Sequence, residues 1–203
     1  MRKCAIYIHG MGGNAGEAEF YRQVFENSEV FGIDYEMAPP WENREELREK
    51  VREISGKYDE TILVANSIGA YYSMTAGLDS FVTKAYFISP VVDMEKLILD
   101  MMGQAGVTEE ELREKGVVRT DFGVDLSWEY LTFARENPPS WNLPTKILRG
   151  SEDRLTSLET MEKFAEKANA ALTVMEGGEH WFHTESQMEF LKNWLKTGEK
   201  RDG

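Results

Sequence analysis

The feature that most constrains this chain is an alternation. Short apolar, β-branched runs recur between longer segments that carry apolar residues three and four apart. The first pattern suits strands and the second suits helices that bury one stripe, so together they read as successive βα units. Such units predict an α/β fold, a mainly parallel sheet with helices on both faces. Strands are expected at 4–8, 30–35, 61–65, 84–88, 146–149 and 172–175, and helices at 17–26, 44–55, 68–76, 157–168 and 186–195. In the last helix Met188, Phe190, Leu191, Trp194 and Leu195 supply the inner face, and the polar stretch 197–203 is expected to fray.

The rhythm breaks once. Between Pro90 and Pro144 the insert holds a Met-rich helical stretch at 97–102, a charged one at 108–115, a hairpin signal around Phe122-Gly123-Val124 and a helix at 128–135. We read 91–143 as a cap or lid inserted after the fourth strand of a single domain, 1–203. The competing reading, a further βα unit of the main sheet, draws on the strand-like Val117 and Val118.

Composition narrows the function classes. A chain of 203 residues can bury a substantial core as one domain. No apolar run approaches the roughly 20 residues of a membrane helix, so a soluble protein is expected. A net charge of −13, from 23 basic and 36 acidic residues, repels phosphate backbones and anionic lipid and argues against nucleic acid as a partner. The acidic residues fall on predicted helices, at 42–53 and 109–114, as solvated faces do. Cys4 is the one cysteine, which excludes an internal disulfide and a thiolate metal cluster and fits a reducing, cytoplasmic setting. Met1-Arg2-Lys3 is basic, but the apolar stretch 4–8 is too short for a signal sequence and reads as the first strand.

One motif carries chemistry. Ala65-Asn66-Ser67-Ile68-Gly69-Ala70 follows the predicted third strand directly and opens a helix, the setting a nucleophile elbow requires. A sharp strand-to-helix turn holds the serine in a strained conformation with its hydroxyl projecting above the sheet edge. Small residues at 65 and 69 let the chain cross closely there, and the helix N-terminus favours developing negative charge. The plainer use of Ser67 is to cap that helix.

With these residues in place, the chain resembles the α/β-hydrolase superfamily, in particular its short bacterial serine esterases and carboxylesterase-like hydrolases. The resemblance covers nearly the whole chain. It rests on His9-Gly10-Met11-Gly12-Gly13, on Ala65 to Gly69 (with alanine at 65 where glycine is commoner), on Gly150-Ser151-Glu152-Asp153, and on Gly177-Gly178-Glu179-His180. Each follows its own predicted strand, and serine, acid and histidine come in the family's order. Residues at the carboxyl ends of parallel strands converge on one sheet edge, so groups far apart in sequence can meet.

The resemblance implies Ser67 as nucleophile, His180 as general base and acid, and Asp153 as the carboxylate that fixes the imidazole tautomer. His183 competes with His180, and Glu152 with Asp153; the family's Gly-x-x-Asp pattern favours 153. Capping the helix near 156–157 is the competing use of Asp153, one that would need its side chain turned away from His180. The amides of Met11 and Ile68 are the expected oxyanion hole, with His9 orienting the loop. The loop lacks the Gly-Lys-Ser/Thr ending of a phosphate loop. Trp128, Tyr130, Phe133 and Trp141, with Met101, Met102 and Trp181, are candidates to line a pocket, though core packing accounts for most such residues. The expected activity is hydrolysis of a carboxylic ester or related small acyl substrate through an acyl-serine, without metal or organic cofactor. A same-fold amidase, thioesterase, acyltransferase or cofactor-free peroxidase, or a catalytically silent binding protein, are the alternatives.

Overall fold

The computed structural model describes residues 1–201. Its strands are β1 (Lys3–Ile8), β2 (Glu29–Ile33), β3 (Glu60–Asn66), β4 (Lys84–Ile88), β5 (Val117–Val118), β6 (Leu126–Ser127), β7 (Thr145–Gly150) and β8 (Ala171–Met175). Its α-helices are α1 (Glu19–Arg22), α2 (Pro40–Ser55), α3 (Ile68–Thr75), α4 (Met94–Ala105), α5 (Glu109–Lys115), α6 (Trp128–Glu136), α7 (Leu158–Ala168) and α8 (Glu185–Arg201). The chain forms two compact units, Met1–Val92 with Ser140 onward, and Asp93–Pro139.

The larger unit contains a six-stranded sheet in the order β2-β1-β3-β4-β7-β8, parallel at every pairing. Its central strands are buried on both faces, as covered parallel sheets require. Ala5, Tyr7, Ile62, Val64, Tyr86, Ile88 and Leu148 share one core with Tyr21 of α1 and Leu191 and Leu195 of α8. The alternate residues Cys4, Ile6, Ile8, Leu63, Phe87 and Ile147 are buried as well. On β1 the chain reverses direction across the sheet, running out to β2 and returning to β3 on the other side. That switch opens a crevice at the carboxyl ends of β1 and β3, where open α/β sheets bind ligands.

The smaller unit holds α4, α5, a two-stranded antiparallel sheet of β5 and β6, and α6, with Arg135 of α6 paired to Glu95 and Glu109. Val117 and Val118 therefore pair within this unit and do not extend the main sheet.

Three elements depart from the pattern in the sequence. The helix expected at 17–26 is a 3-10 turn, Ala15–Ala18, followed by the single turn α1, because Val24 and Phe25 both enter the core and β2 begins at Glu29. α2 starts at Pro40 and not at 44, since proline is tolerated in a first helical turn. The stretch expected to fray stays helical through Arg201. Glu199 anchors it by accepting from Tyr86 Oη at 2.7 Å and pairing with Lys84 at 2.8 Å, beneath Gly198, where any Cβ would meet the Tyr86 ring. Residues 202 and 203 of that expectation lie outside the described residues. Among the described residues, no helix is long and apolar enough to cross a membrane.

Candidate active site

Ser67 sits between β3 and α3 with φ 53° and ψ −122°, a left-handed conformation that non-glycine residues rarely adopt. Two constraints hold it there. Its amide donates to Ile88 O at 2.9 Å, and its carbonyl accepts from Ala70 N at 3.1 Å and Val91 N at 3.0 Å. Close crossing is possible only because residue 69 lacks a side chain: a Cβ there would stand 2.5 Å from His9 O and 2.7 Å from Ile8 O. The Ser67 hydroxyl does not cap α3. It lies 2.8 Å from His180 Nε2 instead.

His180 comes from the loop after β8, and its Nδ1 lies 2.9 Å from Asp153 Oδ2. The His180 side chain is 24% exposed and that of Asp153 is fully buried. A bare buried carboxylate is costly, so its hydrogen bonds matter. Burial is the largest single influence and pushes the Asp153 pKa up; the bond and charge interaction with His180 and the amides of Leu155 and Thr156 outweigh it and hold the carboxyl below its ordinary value. The acid is thus ionised and fixed in orientation.

Asp153 also corrects an expectation. Its Oδ1 accepts from Leu155 N at 2.8 Å and Thr156 N at 3.2 Å while Oδ2 holds His180 and the Thr156 hydroxyl. Organising the turn before α7 and orienting the imidazole are therefore compatible, because a carboxylate has two oxygens. Ser157 is the residue that caps α7. The loops after β7 and β8 meet at Gly150, where a Cβ would stand 2.2 Å from Gly178 O, and Glu152 N donates to Gly178 O at 2.8 Å.

The competing residues lie elsewhere. Glu152 is exposed, and His183 is exposed, stacks on Trp181 and directs Nδ1 to Trp181 O at 2.8 Å. His9 is buried, stacked on Tyr35, and its carbonyl accepts from Tyr35 Oη at 2.5 Å, so it fixes the loop after β1. In that loop Gly13 N donates to Gly10 O at 3.1 Å, and Gly12 has φ 75°. Met11 lies in this turn, and Ile68 is the first residue of α3, a position whose amide has no intrahelical acceptor.

Ser67, His180 and Met11 line a cavity of about 410 Å³ whose other walls include Asn66, Leu155, Trp181 and Glu17. Its rim is apolar and open, with Trp181 69%, Met11 61% and Leu155 41% exposed. Trp141, by contrast, is core: it is buried against Phe87 and donates Nε1 to the Thr145 hydroxyl at 2.8 Å. Among the described residues, no group of three or more histidine, cysteine or carboxylate side chains is placed to hold a metal ion.

Two residues carry weight that pattern reading did not find. Arg149 is buried at the end of β7 and donates to the carbonyls of Gly150, Asp153 and Thr156, tying the acid loop to the sheet. Glu17 reaches the cavity from the 3-10 turn after β1, its Oε2 accepting from Tyr7 Oη at 2.5 Å. Burial, then Tyr21 and the bond to Glu17, push the Tyr7 phenol above its ordinary range, so it remains a donor. A lone arginine closing an apolar strand was the one signal for the first, and the second had none.

No known protein-family profile matches the chain. No curated protein sequence matches it significantly either. Solved structures do. Mouse alpha/beta hydrolase domain-containing protein 10 superposes with a TM-score of 0.76 at 15% identity, covering 98% of this chain and 90% of its own. A thermophilic esterase from Thermogutta terrifontis gives 0.61 at 16% identity, over 96% of this chain and 82% of its own. An α/β serine hydrolase without a lid from Xanthomonas campestris gives 0.61 at 16%, over 98% and 81%. The chain has the α/β-hydrolase fold.

Proposed function

We propose that the protein is a serine hydrolase that cleaves a carboxylic ester or related small acyl compound through an acyl-Ser67 intermediate. The observation that carries this reading is the line of hydrogen bonds from Ser67 Oγ through His180 to Asp153. In it a positive-φ serine at the head of a helix gives its hydroxyl to an imidazole and not to capping.

In the first half-reaction His180 Nε2 takes the Ser67 proton as Oγ bonds to the substrate carbonyl carbon. Asp153 stabilises the imidazolium, worth together with the proton transfer about 10²–10⁴ in rate. The tetrahedral oxyanion is held by the amides of Met11 and Ile68, since the amide of Ser67 itself is engaged by Ile88 O. One such donor is worth about 3 kcal/mol. His180 then returns its proton to the departing alkoxide as the carbon–oxygen bond breaks. In the second half, water attacks the acyl-serine by the same proton route and regenerates Ser67, releasing the acid. Atoms balance with water as the sole co-reactant, so the scheme calls for no cofactor. The small, open cavity and acidic surface favour a small molecule over a polyanion as substrate.

Hydrolysis of p-nitrophenyl acetate and butyrate tests the reading. Ser67→Ala and His180→Ala are expected to abolish turnover; undiminished activity in Ser67→Ala overturns the assignment.

A further inference from the structure

Beside the Ser67 cavity lies a second one of about 360 Å³, walled by Phe20, Tyr21, Ile88, Phe182, Met188 and Leu191. The two share Glu17, Asn66 and Trp181. Glu17 is the one carboxylate among the described residues lining either, and no lysine, arginine or histidine among the described residues pairs with it. Oε2 accepts from Tyr7, which lines the second cavity, and both oxygens lie against Gly13, a wall of the first, where a Cβ would stand 2.8 Å from Oε1 and 3.0 Å from Oε2. Glycine at 13 thus leaves room for the carboxylate at the junction, and the Tyr7 bond fixes it there.

Glu17 is exposed, and a carboxylate without a cationic partner at a cavity junction attracts a cation and disfavours an anion. With an apolar chamber directly beside it, the complementary ligand carries a protonated amine and an apolar group on neighbouring atoms. Resting on the hydrolase reading above, we infer that Glu17 is a specificity-determining residue that selects acyl groups bearing a protonated amine beside an apolar side chain, as in esters or amides of aliphatic amino acids. Ser67 and His180 do the chemistry, and Glu17 chooses what reaches them.

The test compares the p-nitrophenyl ester of leucine with p-nitrophenyl 4-methylpentanoate at pH 7, in the wild type and in Glu17→Gln. Glutamine keeps an oxygen to accept from Tyr7 but loses the charge. The inference expects kcat/KM for the leucine ester to fall about tenfold in the variant, mainly through KM, as loss of a charged hydrogen bond does. The neutral ester should change less than twofold. A variant-free measurement guards against misfolding: 3-methylbutylamine should inhibit wild-type hydrolysis of the neutral ester about tenfold more tightly than 3-methylbutanol. An equal loss on both esters, no loss on either, or equal inhibition by amine and alcohol overturns the role of Glu17 and leaves the hydrolase reading standing. Failure to cleave either ester, with no fluorophosphonate labelling, overturns the hydrolase reading and this inference with it.

Discussion

Replacing Asp153 by asparagine should reverse the tautomer of His180, and the local geometry says why. Oδ1 accepts from two main-chain amides, Leu155 N at 2.8 Å and Thr156 N at 3.2 Å, so asparagine keeps its carbonyl oxygen on that side. Its amide nitrogen then takes the Oδ2 position, 2.9 Å from His180 Nδ1. Facing a donor, Nδ1 becomes the acceptor and Nε2 carries the proton, 2.8 Å from Ser67 Oγ, where it can no longer receive one. In a serine–histidine–acid arrangement this swap costs about 10⁴ in kcat, or about 5.5 kcal/mol of barrier. Steady-state hydrolysis of p-nitrophenyl butyrate measures it, with Glu152→Gln as a neighbouring control expected to lie within twofold of wild type. A loss smaller than tenfold in Asp153→Asn, or an equal loss in Glu152→Gln, refutes the assignment of the acid.

The pKa of Asp153 is lower in the folded chain, so it binds protons less readily there than in the unfolded chain. Its contribution to stability is therefore full above the ordinary carboxylate value of about 4 and is lost as pH falls through the depressed folded value. Denaturant titrations from pH 6 down to pH 2 should show the gap between wild type and Asp153→Asn closing in that window; a gap independent of pH contradicts it. Gly69→Ala places a Cβ 2.5 Å from His9 O, backbone that cannot swing aside, and should destabilise by roughly 2–4 kcal/mol, read as a fall in thermal midpoint. Ser67→Gly relieves the φ of 53° and should raise stability by about 1 kcal/mol while abolishing turnover. Arg149→Met leaves the buried carbonyls of Asp153 and Thr156 without a donor and should cost about 3 kcal/mol or more, with kcat falling more than KM rises as Asp153 loses its support.

The sheet was legible because its signal is local. Runs such as Cys4 to Ile8 and Ile62 to Ala65 are apolar on every residue, as a short strand covered on both faces requires. What defeated local reading was tertiary. The stretch 197–201 is polar, yet it is helical because Glu199 finds Lys84 and Tyr86 on β4. Residues 17–26 have helical spacing, yet the turn is cut short by the burial of Val24 and Phe25. In the site, Ser67, Asp153 and His180 stood out since each is a chemistry-bearing residue in a loop that directly follows a strand. Their mutual distances were not in the sequence; they follow from the glycines at 69 and 150, which let backbones cross within contact. Arg149 and Glu17 act through hydrogen bonds, to loop carbonyls and to a phenol of β1, that no helical or strand spacing encodes, so only the folded arrangement shows what they hold.

The central claim is that Ser67 is a nucleophile activated by His180. Incubating the protein with a fluorophosphonate and mapping the adduct by peptide mass spectrometry tests it most directly. The account predicts one phosphonylated residue, Ser67, modified rapidly in the wild type and at least a thousandfold more slowly in His180→Ala. An unmodified Ser67, or labelling at Ser67 that proceeds equally fast without His180, contradicts it.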